Sequence, residues 1–154
     1  MCKNIPMFIS ILVMFASCNN SHLETKYTEE LSYTLNDAGT GYYVSNGTNV
    51  DKVVYVPSFY NGLPVIGVNY GGFSYSNYMI DFEEIRLPET IIEIKSSAFL
   101  NCEKLKNINF PESLEIIGSN AFLNCKSIEK VILSNGIKII GECAFDNMIS
   151  LKKI

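Results

Sequence analysis

Hydrophobic residues recur at constant offsets through the second half of this chain. From Ile85 to Ile154 one pattern is written three times with a period of 23 residues: IRLPETIIEIKSSAFLNCEKLKN, INFPESLEIIGSNAFLNCKSIEK and VILSNGIKIIGECAFDNMISLKK. The first two copies are identical at ten of 23 positions. Ile85, Ile108 and Val131 align, as do Leu87, Phe110 and Leu133; Ile91, Leu114 and Ile137; and Ile94, Ile117 and Ile140. Further on, Ala98, Ala121 and Ala144 align, then Phe99, Phe122 and Phe145; Cys102, Cys125 and Met148; and Leu105, Ile128 and Leu151. Steps of two mix with steps of three and four, so neither one helix nor one strand can put all of these on one face. A coil can.

The β-branched segments I-x-L and I-x-x-I predict strands, and A-F-x-x-C-x-x-L predicts a tight helical or irregular turn on the opposite wall. Units of this length stack because none buries its own apolar face. The expected fold is an α/β repeat solenoid with short parallel strands about 4.8 Å apart and turns or short helical segments between them. Columns of like residues fill its interior, each large side chain contributing about 1.5–3 kcal/mol. Charged residues fall at varying offsets, as expected of a solvated outer wall.

The motif I-x-[LF]-P-x-x-[LI]-x-x-I-G-x-x-A-F-x-x-C-x-x-[LI] resembles the BspA-like leucine-rich repeat of bacterial surface proteins and some protozoan parasites. The second copy carries it through Pro111, Ile117, Gly118, Ala121, Phe122 and Cys125; the first has Lys95 in place of Gly, and the third has Ser134 for Pro and Met148 for Cys. The resemblance implies a leucine-rich repeat platform, attachment to host proteins or other bacteria, and no catalysis.

Upstream the repeat is degraded. Val54-Tyr55-Val56-Pro57 matches the strand and proline, Ile66-Gly67 the I-G step, and Gly72-Phe73 the Ala-Phe pair, within residues 54–84. From Val54 to Ile85 is 31 residues, eight more than one period, which fit as a longer turn around YNGLP and a few residues before Ile85. Ser32-Tyr33-Thr34-Leu35 and Gly41-Tyr42-Tyr43-Val44 flank the turn NDAGTG and read as a β-hairpin, so residues 29–56 are expected to form an N-terminal cap running into the first coil. At the other end no polar unit caps the regular repeats of residues 85–154. The sequence leaves open a truncated piece of a larger adhesin, end-to-end self-association, or a domain that needs a partner.

Residues 1–17 read as a signal peptide, with Lys3 before an apolar run from Ile5 to Phe15 that is too short to span a bilayer. Phe15-Ala16-Ser17-Cys18 resembles a lipobox, making Cys18 the lipidation site, with residues 18–28 a polar tether. An ordinary signal peptide cut near Ser17 is the alternative. His22, the single histidine, falls in this tether and reads as a solvated linker residue.

Charge and chemistry narrow the function by exclusion. Removing residues 1–17 takes one base, Lys3, from the 12 basic residues and none of the 16 acids, leaving 11 and 16, net −5; no basic stripe suits nucleic acid. No G-x-S-x-G, H-E-x-x-H, P-loop, Cys/His pair or zinc-type cysteine spacing occurs, so no enzyme, cofactor or metal is expected. Cys102 and Cys125 share one column and read as buried free thiols, while Cys143 reads as outward and accessible. All nine tyrosines lie between Tyr27 and Tyr78, as an aromatic binding surface or as the core of a small cap.

The expected protein is a lipid-anchored envelope protein that recognises a protein ligand on a host or bacterial surface, with a glycan as the other ligand class. Its outward strand residues Glu84, Arg86, Asn107, Asn109, Lys130 and Ile132 form the candidate binding face. A periplasmic or envelope scaffold is the alternative.

Overall fold

The structure is a computed structural model that describes residues 27–28, 30–47, 52–74 and 82–152. Residues 1–17, read above as a signal peptide, lie outside the described residues, as do Cys18, His22, most of the expected tether and the YSNY end of the tyrosine-rich stretch.

Stacking by period governs the architecture. Ten short strands follow in order: β1 (Ser32–Leu35), β2 (Tyr42–Ser45), β3 (Val53–Tyr55), β4 (Phe59–Tyr60), β5 (Leu63–Val68), β6 (Glu84–Arg86), β7 (Glu93–Ile94), β8 (Asn107–Ile108), β9 (Ile116–Ile117) and β10 (Ile139–Ile140). They form two walls. The larger sheet runs β1-β2-β5-β7-β9-β10 with β4 folded onto β5; the smaller runs β3-β6-β8. Pairing between coils is parallel in both, as a coil returning to the same wall requires.

The columns read from the sequence make up most of the core, but in the last coil Ile140, aligned with Ile94 and Ile117, is exposed. Val44, Val68, Ile94 and Ile117 stack fully buried along the larger sheet. The phenylalanine column extends one coil further back than the regular repeats: Phe73, Phe99, Phe122 and Phe145 stack with centroids 5.5, 5.1 and 5.5 Å apart and planes within 13°. Such offset stacks add about 0.5–1.5 kcal/mol per pair beyond area burial.

Two expectations are corrected. No helix occurs among the described residues: the A-F-x-x-C-x-x-L segments are successive turns, so the solenoid is a β-coil and the helical component of the α/β reading falls away. The reason is visible in the backbone. Each regular coil places two residues in the left-handed region, Ser97 and Asn101, Asn120 and Asn124, Cys143 and Asn147, which no continuous α-helix tolerates. Asparagine favours that conformation, and one position stacks as a ladder: Asn124 Nδ2 donates to Asn101 Oδ1 at 2.7 Å, and Asn147 Nδ2 to Asn124 Oδ1 at 2.6 Å.

The second correction is one of register. Ile66-Gly67 does not occupy the I-G step; Val68 pairs with Ile94 and Gly67 with Glu93, a shift of two residues. The buried column decides it, since Val68 is fully buried while Ile66 packs outside it near Gly41. The degenerate coil's surplus is spent mainly on a hairpin, β4 to β5, closed by Asn61-Gly62 with both φ positive, as a two-residue I′ turn requires.

At the start, β1 and β2 pair antiparallel around a turn in which Asn36 Oδ1 accepts from Thr40 N–H at 2.8 Å. Tyr33, Tyr42 and Tyr60 pack on one another, Tyr33 and Tyr60 stacked at 3.9 Å, and burial with Tyr60 beside it pushes the Tyr33 hydroxyl up to about 12. These three tyrosines form a partly exposed cluster that packs the cap hairpin against β4, while Leu31 and Val44 are buried beneath the hairpin. Thr28, placed in the tether by sequence, is docked on β3: its N–H donates to Tyr55 O at 3.0 Å, and its Oγ1 accepts from Tyr55 N–H at 2.8 Å.

Candidate recognition groove

The smaller sheet zips shut at the first coils and opens further along. β3 pairs with β6 over three residues and β6 with β8 over two, whereas the larger sheet continues to β10. One period beyond β8 no strand forms, and Lys130 makes only a single-residue bridge.

The pairing thins here and the columns are less evenly covered. Ile85, Leu87 and Val131 are buried, but Ile108, Phe110 and Leu133, on the same offsets, are half-buried. Phe110 is the aromatic member of a column otherwise made of Val56, Leu87 and Leu133, and its ring stands edge-on to Phe122 at 5.5 Å and Phe145 at 6.4 Å. An open groove of about 950 Å³ lies at this level.

All six residues nominated from sequence line this groove: Glu84, Arg86, Asn107, Asn109, Lys130 and Ile132. Their situations differ. Arg86 Nε donates to Glu84 Oε1 along the same strand. Asn107 is exposed, and Ile132 presents an exposed apolar side chain at 60% of its full area. Lys130 forms no ion pair among the described residues. Asn109 is committed to structure, since its amide bonds both the N–H and the carbonyl of Leu87 at 2.7 Å.

Sequence reasoning missed the rest of the lining. Phe110 and Leu133 were assigned wholly to the core, and Lys106 and Glu129 to scattered solvated charge. A signal for the charges existed: Lys52, Glu83, Lys106, Glu129 and Lys152 form a single column of alternating sign. Glu83 meets Lys52 at 3.5 Å and Lys106 at 2.7 Å, and Glu129 meets Lys152 at 2.8 Å. Lys106, by hydrogen bond and by charge, and then Lys52 hold the Glu83 carboxyl below its usual value.

Elsewhere the cysteines show no site chemistry. Cys102 and Cys125 are buried free thiols whose Sγ donate to Phe73 O at 3.0 Å and Phe99 O at 3.1 Å; Cys143 is exposed. The hydrogen-bonding neighbour Cys125, together with burial, pushes the Cys102 thiol well above its ordinary range. Among the described residues no cluster of three or more His, Cys, Asp or Glu could hold a metal. On the larger sheet the Tyr43 hydroxyl donates to Glu93 Oε2 at 2.9 Å and Lys95 Nζ sits 3.5 Å from its ring centroid, which accounts for lysine where later coils have glycine. Burial, then Glu93, raises that hydroxyl to about 12.

Family comparison agrees with the coil geometry. The BspA type leucine rich repeat region matches residues 71–154 in six copies. The chain belongs to this family. Among solved structures it is similar to a leucine-rich repeat protein from Bacteroides ovatus ATCC 8483, with 24% identity and a TM-score of 0.64 over 83% of this chain. It is also similar to the leucine rich repeat protein of T. pallidum, at 29% identity and a TM-score of 0.64 over 82% of this chain. A third likeness, of fold alone, is to a leucine rich cell surface protein from Faecalibacterium prausnitzii A2-165, at 20% identity and a TM-score of 0.59 over 83% of this chain. The chain spans 40%, 69% and 41% of those three structures respectively. No curated protein matches it in sequence.

Proposed function

We propose that this BspA-type repeat protein is an exported, lipid-anchored, non-catalytic recognition protein that binds a protein partner through the groove on its smaller sheet, with adhesion as its role. The observation that carries the reading is convergence: six residues nominated as outward strand positions line one groove whose floor is apolar and whose rim is charged. Grooves with an apolar floor and a few polar groups suit recognition. Anchoring rests on the lipobox-like Phe15-Ala16-Ser17-Cys18, and surface placement draws on the cell surface description of the Faecalibacterium relative. A glycan ligand receives less support, because Tyr33, Tyr42 and Tyr60 are occupied with one another.

Protease added to intact cells expressing the chain tests exposure. Degradation of the repeats is the expected result. Protection until the outer membrane is opened overturns adhesion and favours a periplasmic scaffold. A parallel change of Cys18→Ser is expected to release the protein from the membrane fraction.

A further inference from the structure

We infer that the tip of the β4–β5 hairpin, with Phe59, Tyr60 and the neighbouring Leu35, is a membrane-contact surface that rests on the bilayer carrying the Cys18 lipid. This deepens the proposed function and rests on its assignment of Cys18 as the anchor.

Placement supplies the first argument. Thr28 bonds Tyr55 through both its N–H and its hydroxyl, so the chain coming from the anchor joins the fold at β3. Phe59 follows Tyr55 by four residues, which a chain spans in at most about 14 Å. From Cys18 to Thr28 is ten residues, at most about 36 Å when fully extended. Whatever path those residues take, they hold the hairpin within reach of the surface in which the lipid sits. A weak contact tethered in this way forms at an effective concentration far above that of free protein.

Side chains supply the second argument. Tyr27, Leu35, Phe59 and Tyr60 are all exposed on the cap and first coil, Phe59 at 62% of its full area. Tyr60 packs on Tyr33 and Tyr42, and Leu35 pairs with Tyr42, so strand alternation turns Phe59 to the other face of the hairpin. The turn between β4 and β5 is the uncharged Asn61-Gly62. No charged residue occurs from Val53 to Ile80, a run of 28 in a chain that is 18% charged, whereas the later coils carry columns of lysine and glutamate. A tip with aromatic residues on both faces and no charge suits the headgroup level of a bilayer, where rings with an apolar body and a polar end collect.

Charge narrows the lipid. Among the described residues up to Ser74 the charged ones are Glu30, Asp37 and Lys52. Nothing there calls for an anionic surface, so the contact depends on buried apolar area rather than on polybasic attraction.

The chain contains no tryptophan, so Phe59→Trp and Ile149→Trp each place a single reporter, one on the hairpin and one in the return turns of the last coil. Each full-length chain is expressed, acylation of Cys18 is checked by mass, and the protein is reconstituted into phosphatidylcholine vesicles with and without lipids brominated along the acyl chain. Emission from position 59 is expected to shift to the blue and to lose about half its intensity to the brominated lipid, with or without phosphatidylglycerol. Emission from position 149 is expected to do neither. Adding Leu35→Asp to Phe59→Trp is expected to reduce the quenching about twofold. Acylated protein on vesicles whose reporter at position 59 stays in water overturns the membrane contact and leaves the anchor standing. Equal quenching at positions 59 and 149 overturns a contact confined to the hairpin. A chain that carries no acyl group at Cys18 and stays in the aqueous phase overturns the anchor and this inference with it.

Discussion

Asn109 turns its side-chain amide onto the backbone of Leu87, donating to the carbonyl and accepting from the N–H at 2.7 Å each. In effect a side chain supplies the last rung between two coils where the main-chain pairing of β6 with β8 has ended at Ile85 and Ile108. Removing it leaves two half-buried main-chain groups without their partner. Asn109→Ala is therefore expected to cost about 1–2 kcal/mol, measured as a lower urea midpoint at unchanged slope. Asn109→Asp, which keeps an acceptor but loses the donor, should fall between.

Phenylalanine stacking predicts a graded series. Phe122 lies between Phe99 and Phe145 and is met edge-on by Phe110, whereas Phe145 is only partly buried. Phe122→Ala is expected to destabilise by about 3–5 kcal/mol, within the range for a buried ring. Phe145→Ala should cost clearly less. Equal costs in parallel denaturant titrations would show that the column does not transmit burial as described.

Backbone sign predicts a gain. Cys143 has φ of 53°, at the position where Asn120 has 57° and Ser97 58°. Side chains other than glycine and asparagine pay roughly 1–2 kcal/mol in that region. Cys143→Asn is expected to raise stability by about 1 kcal/mol, and Asn120→Ala to lower it by a similar amount, both read from thermal midpoints.

The extent to which the sequence disclosed this molecule follows from what repeats and what does not. Inward residues such as Ile94, Ile117 and Phe122 are chosen by one shared environment, so their identity is uniform and the period could be counted. At Ile66-Gly67 the same uniformity misleads: the two-residue match to the I-G step points to one register, and the fully buried Val68, paired with Ile94, sets another. Turn geometry was hidden because A-F-x-x-C-x-x-L has helix-compatible spacing, and only the Asn101 and Asn124 positions hinted at left-handed backbone. The outward strand residues were legible from alternation alone. Their groove was not, because its lining is drawn from several successive coils and depends on how they lie against one another rather than on any one repeat.

Alternating charge in one column predicts both pH and salt effects. Glu83 is held below the ordinary glutamate value of 4.5 by Lys106 and then Lys52. A carboxyl lowered in the folded state contributes stability above its unfolded value, and that contribution is lost as pH falls through the folded one. Between about pH 6 and pH 3 the thermal midpoint of the native chain should therefore fall more than that of Lys106→Met, with the difference shrinking in roughly 1 M salt. Lys106→Glu inserts a third carboxylate between Glu83 and Glu129 and should be worse than Lys106→Met; adding Glu83→Lys should restore part of the loss.

The thiols divide by place in the coil. Cys143 is exposed, whereas Cys102 and Cys125 are buried with Sγ bonded to the carbonyls of Phe73 and Phe99 in neighbouring coils. Iodoacetamide at about pH 8 is expected to label the peptide containing Cys143 in the native protein, and the peptides containing Cys102 and Cys125 only in urea. Because the Cys102 thiol is raised above its ordinary value of 9.0, its protonated form belongs to the fold; the stability it contributes is held below that value and lost as pH rises beyond it. Cys125→Ala keeps the column's volume roughly but removes the hydrogen-bonding neighbour, so it should also bring Cys102 labelling forward in pH. Rapid native labelling of Cys102 at neutral pH would mean that the coils part at this level far more readily than their packing indicates.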